Sequence, residues 1–143
     1  MKSHASSTWE GDLFGGSGTA TLASGAAPPF PVSWASRTEE AAGKTSPEEL
    51  IAAAHAACFN MAFSNGLAQA GTPATRLDTD AVAIFEKTDA GFRLTTMQLN
   101  VRGDVPGMSA DDFANAAAAA KDGCPVSNAL VGNVDISVEA MLV

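Results

Sequence analysis

SPEELIAAAHAACFNMAFSNGLAQAG, residues 46–71, is the longest coherent pattern in this chain of 143 residues. It opens with a complete helix-start signal: Ser46 as N-cap, Pro47 at the first helical position and Glu49 three residues after the cap. The helix is expected to run to Gly71. Between Leu50 and Leu67 nearly every position is apolar or small, with His55, Asn60, Ser64 and Asn65 as the polar interruptions before Gly66. A helix apolar on most sides is buried on most sides. A small sheet covers one face only, so a second copy of the chain is expected to cover another, the alanines permitting close approach. An intimate homodimer follows as the expectation.

On the N-terminal side, alternating small, apolar and polar residues between Gly and Pro clusters predict strands over 8–12, 15–24 and 30–36. Residues 37–45 have no apolar face and read as a loop. Beyond Gly71, strands are predicted over 77–87 and 92–105, joined by a hairpin turn at residues 88–91. Ser109, with Asp112 three positions later, starts a second helix ended by Asp122 and Gly123, and Cys124-Pro125 opens a short third one to Leu130. A last strand covers 133–143. The order βββ-α-ββ-α-α-β groups strands apart from helices, which indicates an α+β fold with antiparallel sheets around a long buried central helix. Residues 1–143 are read as one domain.

Composition bounds what this fold does. By surface scaling the folded chain exposes roughly 6,900 Å² against about 21,000 Å² unfolded, so a core forms without disulfides. Alanine supplies 29 of the residues, however, and buries little area each. The net charge is −8 and the four Lys and four Arg are scattered, which argues against nucleic acid or anionic membrane as partner. No signal-like run opens the chain and no apolar stretch reaches membrane length, so the cytoplasm is the expected compartment. Thiols there are kept reduced, and two cysteines 66 positions apart read as reactive, metal-binding or buried rather than permanently bridged.

Cys58, mid-helix, reads either as a small core hydrophobe or as a reactive thiol. Cys124, immediately before a helix-opening proline, faces free backbone N–H groups that favour a thiolate, or else is a solvent-facing cap. A metal site from His55, Cys58 and Cys124 is conceivable, since His55 and Cys58 lie about 60° apart on the helix, but a fourth ligand at suitable spacing is lacking and no metal is expected. There is no GxSxG motif and no third histidine for a serine triad.

The run SPEELIAAAHAACFNMA (46–62), GCPVSNAL (123–130), WEGD (9–12) and DAGF (89–92) strongly resemble the osmotically inducible protein C (OsmC) family, which includes the organic hydroperoxide resistance (Ohr) proteins. The resemblance covers residues 6–143, and His55 before the Ala-Ala-Cys segment is closer to the OsmC branch. It implies a thiol-dependent peroxidase that reduces organic hydroperoxides to alcohols, a tightly wound homodimer with active sites at the subunit interface, and no bound cofactor. Cys58 matches the family's peroxidatic cysteine, Cys124 its resolving cysteine, Glu48 its catalytic glutamate and Arg37 its active-site arginine. The external reductant it implies is a dithiol, such as a lipoyl-bearing protein.

These assignments meet a chemical need. A free thiol is only a few per cent ionised at neutral pH, so an attacking Cys58 needs a cation. Arg37 would supply one and hold the peroxide oxygen, with Glu48 orienting it. Glu48 and Cys58 are ten residues apart on one helix, roughly 15 Å along the axis and about 280° around it, so Glu48 meets Cys58 only from a second subunit or else acts elsewhere. Helix-terminus chemistry, by contrast, names Cys124 the more acidic thiol. The reading from another class is a non-enzymatic dimer that binds an apolar ligand, with thiols that only sense oxidation.

Overall fold

The computed structural model describes residues 1–143 as two compact units, Met1–Leu50 and Ile51–Val143. In the first unit β1 (Ala5–Glu10), β2 (Ser17–Leu22) and β3 (Phe30–Val32) form an antiparallel meander in the order β1-β2-β3. The expected third strand, 30–36, stops at Val32, because the serines beyond it capture the backbone. Ser36 N–H donates to Ser33 Oγ (3.2 Å) and Ser33 N–H to Ser36 Oγ (3.1 Å), so the chain turns into a four-residue helix α1 (Ala35–Thr38) where a loop was expected.

The long helix α2 (Pro47–Gln69) begins at the end of this unit and continues into the second. Ser46 Oγ accepts from Glu49 N–H at 3.1 Å, as the cap reading requires. The Glu49 carboxylate does not return to the Ser46 backbone but takes the Thr45 hydroxyl, so only half of the capping box forms. Inside the second unit His55, Phe59, Phe63 and Leu67, each four residues after the last, are fully or almost fully buried. Ala53, Ala54, Ala57 and Met61 on the other side are exposed.

That stripe packs into a core with the central strand of the second sheet. β4 (Arg76–Thr88) and β5 (Gly91–Asp104) form the expected hairpin, whose two-residue turn is closed by Thr88 Oγ1 donating to the Gly91 carbonyl at 2.8 Å. Met97, Leu99 and Val101 point inward from β5 in strict alternation. Helix α3 (Ala110–Gly123), capped by Ser109 accepting from Asp112 N–H, brings Phe113 and Ala117 onto the same core, where Phe63 and Phe113 ring centroids are 5.0 Å apart. After α4 (Pro125–Leu130), β6 (Asp135–Leu142) pairs with β5 in parallel. This corrects the expectation of wholly antiparallel sheets: the two intervening helices supply the crossover that a parallel neighbour needs. No helix is long and apolar enough to cross a membrane.

Gly103 fixes how closely α3 approaches β5. A Cβ there would sit 2.4 and 2.5 Å from two Phe113 ring atoms and 3.0 Å from Leu77 Cδ2. Since Phe113 is fully buried and has no room to retreat, Gly103→Ala is expected to cost about 1–3 kcal/mol of stability, read as a lowered thermal midpoint.

Candidate active site

The sequence-predicted residues form two pairs, one in each unit. In the first, Arg37 on α1 grips Glu48 on the first turn of α2 through two parallel bonds, Nη2 to Oε1 at 2.6 Å and Nε to Oε2 at 3.1 Å. Local chain chemistry brings them together. Ser36 Oγ lies within hydrogen-bond reach of both the Ser33 and Thr45 carbonyls (2.8 and 2.7 Å), and Thr45 N–H donates to Pro31 O at 2.9 Å. The polar segment between α1 and α2 is thereby folded back, with Ala42 (φ 46°) and Gly43 (φ 78°) in the left-handed region making the reversal. The Arg37 guanidinium also lies 5.5 Å from the centroid of the Trp34 ring. Trp34 and Arg37, together with Trp9, Leu13 and Val32, line a 360 Å³ cavity. Glu48 is buried and its partner is only partly exposed, which makes this the one ion pair of the chain held in a sheltered, bidentate geometry.

In the second unit the two thiols meet, both in the free form. They are close enough that each changes the acidity of the other. Burial narrows the sequence readings: Cys124 is fully buried at the start of α4 and so is no solvent-facing cap, while Cys58, on the helix expected to be buried on most sides, is partly exposed. The reason is angular. The stripe of α2 that faces the sheet runs through His55 and Phe59, and Cys58 sits to one side of it. Cys58 opens onto a 590 Å³ cavity lined by Met61, Ala62, Ala116, Ala120 and Pro125.

The acidities differ as well. Burial pushes the Cys58 thiol above its ordinary value, the Val126 N–H opposes this, and the adjacent Cys124 raises it further. Burial also pushes Cys124 up, but the Ser127 N–H, the Cys58 thiol, the Ser127 hydroxyl and the Val126 N–H outweigh it, leaving Cys124 below its ordinary value. The helix-start reading of Cys124 as the more acidic thiol therefore agrees with its surroundings.

Two further residues belong to this cluster. His55, fully buried on α2, places Nε2 2.7 Å from Ser127 Oγ on α4, and Ser127 is itself buried. Nδ1 of His55 is buried without a hydrogen-bond partner. Sequence reading treated His55 as a candidate metal ligand and missed Ser127. The Cys-Pro-Val-Ser spacing, N-cap to third helical position, is the signal that could have found it. No group of three or more His, Cys, Asp or Glu side chains is clustered to hold a metal ion.

The family model of OsmC-like proteins matches residues 39–139. The chain belongs to that family. It is 43% identical over 131 residues to the peroxiredoxin OsmC of Escherichia coli (strain K12), covering 92% of this chain and 91% of that one. The organic hydroperoxide resistance protein OhrA of Bacillus subtilis (strain 168) is 33% identical over 99 residues, 66% of each chain. The fold matches that of an organic hydroperoxide resistance protein OsmC from Legionella pneumophila with a TM-score of 0.76, at 22% identity over 99% of this chain and 97% of that one.

Burial disfavours the charged form of His55 and holds its pKa below the ordinary 6.5. The unfolded chain then takes up a proton at this residue before the folded one does. Stability carried by His55 is full above pH 6.5 and is lost as pH falls from there through the folded-state value. Thermal midpoints measured between pH 7.5 and roughly 5 are expected to decline, and to decline less in His55→Gln, which has no proton to gain.

Proposed function

We propose that this chain is a cysteine-based peroxidase that reduces organic hydroperoxides to alcohols. The observation that carries the reading is the juxtaposition of a partly exposed thiol, Cys58, and a buried, more acidic one, Cys124, near enough to change each other's acidity, in a chain of the OsmC-like family. The Cys58 thiolate attacks the distal peroxide oxygen, the O–O bond breaks, and the alkoxide takes a proton to leave as alcohol. Cys58 becomes a sulfenic acid. The Cys124 thiolate then attacks the Cys58 sulfur, hydroxide departs as water after protonation, and a disulfide joins the two. An external dithiol, a lipoyl-bearing protein among the candidates, reopens it. The apolar walls of the 590 Å³ cavity beside Cys58 suit the hydrocarbon part of an organic hydroperoxide better than the bare hydrogen peroxide molecule.

Cys58 stands above its ordinary pKa in its own surroundings, so this chemistry needs a cation. We assign that role to Arg37, oriented by Glu48, acting on the Cys58 of a second copy in a homodimer. Three features support the assignment: the sheltered bidentate pair, the spacing of Glu48 and Cys58 on one helix, and the exposed small face of α2 at Ala53, Ala54 and Ala57. The family model spans the boundary between the units, and the match to the Escherichia coli relative covers 92% of the chain, which supports treating 1–143 as one functional domain. Two free cysteines in contact suit the reducing cytoplasm.

Peroxide consumption with cumene hydroperoxide and excess dithiol tests the reading. Multiple turnovers are expected from the native protein and none from Cys58→Ser, while Cys124→Ser accumulates a dimedone-reactive sulfenic acid. A single turnover in the native protein, or full activity in Cys58→Ser, refutes the peroxidase and favours a redox-sensing binder. Arg37→Ala and Cys58→Ser proteins, each inactive, are expected to recover roughly a quarter of native activity when unfolded and refolded together in equal amounts, because half the dimers are then mixed and one site in each is intact.

A further inference from the structure

One pair of buried side chains beside Cys124, His55 and Ser127, has no part in the peroxide step. His55 Nε2 is 2.7 Å from Ser127 Oγ, both residues are buried, and His55 Nδ1 has no partner. A neutral imidazole carries one proton. On Nδ1 it would be a buried N–H without an acceptor, whereas on Nε2 it is donated to Ser127 and only a lone pair is left unpartnered, the less costly of the two. Burial keeps the ring from carrying both protons.

A serine hydroxyl also has one proton. With Oγ accepting from His55, that proton is turned away from the histidine. Ser127 is three residues after Cys124, at the third position of the short helix that Cys124 opens, where the Cys124 side chain makes no capping bond of its own. The Ser127 hydroxyl and its N–H both favour the ionised form of the Cys124 sulfur.

We infer that His55 and Ser127 form a positioning pair, His55 Nε2–H to Ser127 Oγ–H to Cys124 Sγ, that makes Cys124 the leaving group when the disulfide is reduced. The inference rests on the proposed Cys58–Cys124 disulfide. An incoming thiolate reaches Cys58, because Cys124 is fully buried. Its sulfur bonds to Cys58 Sγ, the Cys58–Cys124 bond breaks, and the electron pair departs on Cys124 Sγ, held as thiolate by the Ser127 hydroxyl. The second thiol of the reductant then attacks its own sulfur in the mixed disulfide. Cys58 is released as thiolate and the reductant leaves oxidised by two electrons. A more acidic leaving thiol departs faster, so burial decides which sulfur is attacked and the pair sets how fast the bond breaks.

The test uses the intact protein oxidised with diamide, which makes the disulfide without any peroxide chemistry. Reduction by dithiothreitol is followed in the native protein, Ser127→Ala, His55→Leu and His55→Gln. Ionisation of Cys124 is read from thiolate absorbance near 240 nm in the same variants carrying Cys58→Ser. Loss of one charge-assisted bond corresponds to about tenfold in the ionisation constant and, with a Brønsted coefficient of about one half, to about threefold in the reduction rate.

Ser127→Ala and His55→Leu are expected to show both losses. His55→Gln, whose amide still donates, is expected to restore most of each, which a purely packing role for His55 would not produce. Equal rates and equal ionisation in all four proteins overturn the inference, as does failure of diamide to form the disulfide. Ser127→Ala removes a single oxygen, so the inference stays testable even if His55→Leu does not fold. Absence of peroxide turnover with the reduction rates ordered as expected would refute the peroxidase and leave this pair standing.

Discussion

The spacing of four residues along α2 is the constraint from which the second unit is built. His55, Phe59, Phe63 and Leu67 occupy one stripe, and everything else in that unit is arranged to cover it: β5 supplies Leu99 and Val101, and α3 supplies Phe113 and Ala117. Burying the three large side chains of that stripe contributes several kcal/mol at about 25 cal/mol per Å². A stripe drifts around a helix only slowly at this spacing, so the residue one place before Phe59 is held at the edge of the core. That residue is Cys58. Its partial exposure is therefore a by-product of where the phenylalanines must go, and it sets the difference in access between the two thiols.

His55 occupies the same stripe but is polar, and a polar group there is tolerated only if bonded. Ser127 provides the bond from α4, a helix whose first residue follows Cys124. One packing requirement thus ties α2 to α4 at the point where the thiols meet. The Gly103 gap under Phe113 serves the same end, since it lets α3 lie close on the sheet and brings the chain that follows it, Gly123 and Cys124, back to α2.

Local signals carried much of this. The Ser46-Pro47 start, the 88–91 turn, the Ser109 cap and the Cys124-Pro125 opening each specify backbone geometry within a few residues, and each element lies within a few residues of its reading. What could not be read depends on distant partners. The parallel pairing of β6 with β5 is set by a crossover of two helices, and the burial of Cys124 by what packs over it. α1 was missed because two serines bonding each other's backbone leave no periodic trace. At the candidate site, the pairing of Arg37 with Glu48 and of Cys58 with Cys124 both stood in the sequence reading through family resemblance, with charge complementarity adding how Glu48 orients Arg37. Ser127 did not, because a serine near a helix start is too common to single out without the histidine opposite it.

The two thiols are unequal in a way that divides the chemistry between them. Cys124 is made acidic by its own helix start and by Ser127, and so is ready as nucleophile or leaving group without outside help, but solvent does not reach it. Cys58 is reachable, yet its surroundings hold it in the neutral form. A thiol that is accessible and permanently ionised would be oxidised by any passing peroxide. A thiol that is accessible but neutral until a guanidinium stands beside it is reactive only in the complete assembly. Under the proposed function, this places control of the first step with Arg37 and control of the last with Ser127, so that attack and recycling are tuned by different residues through two thiols that also act on each other.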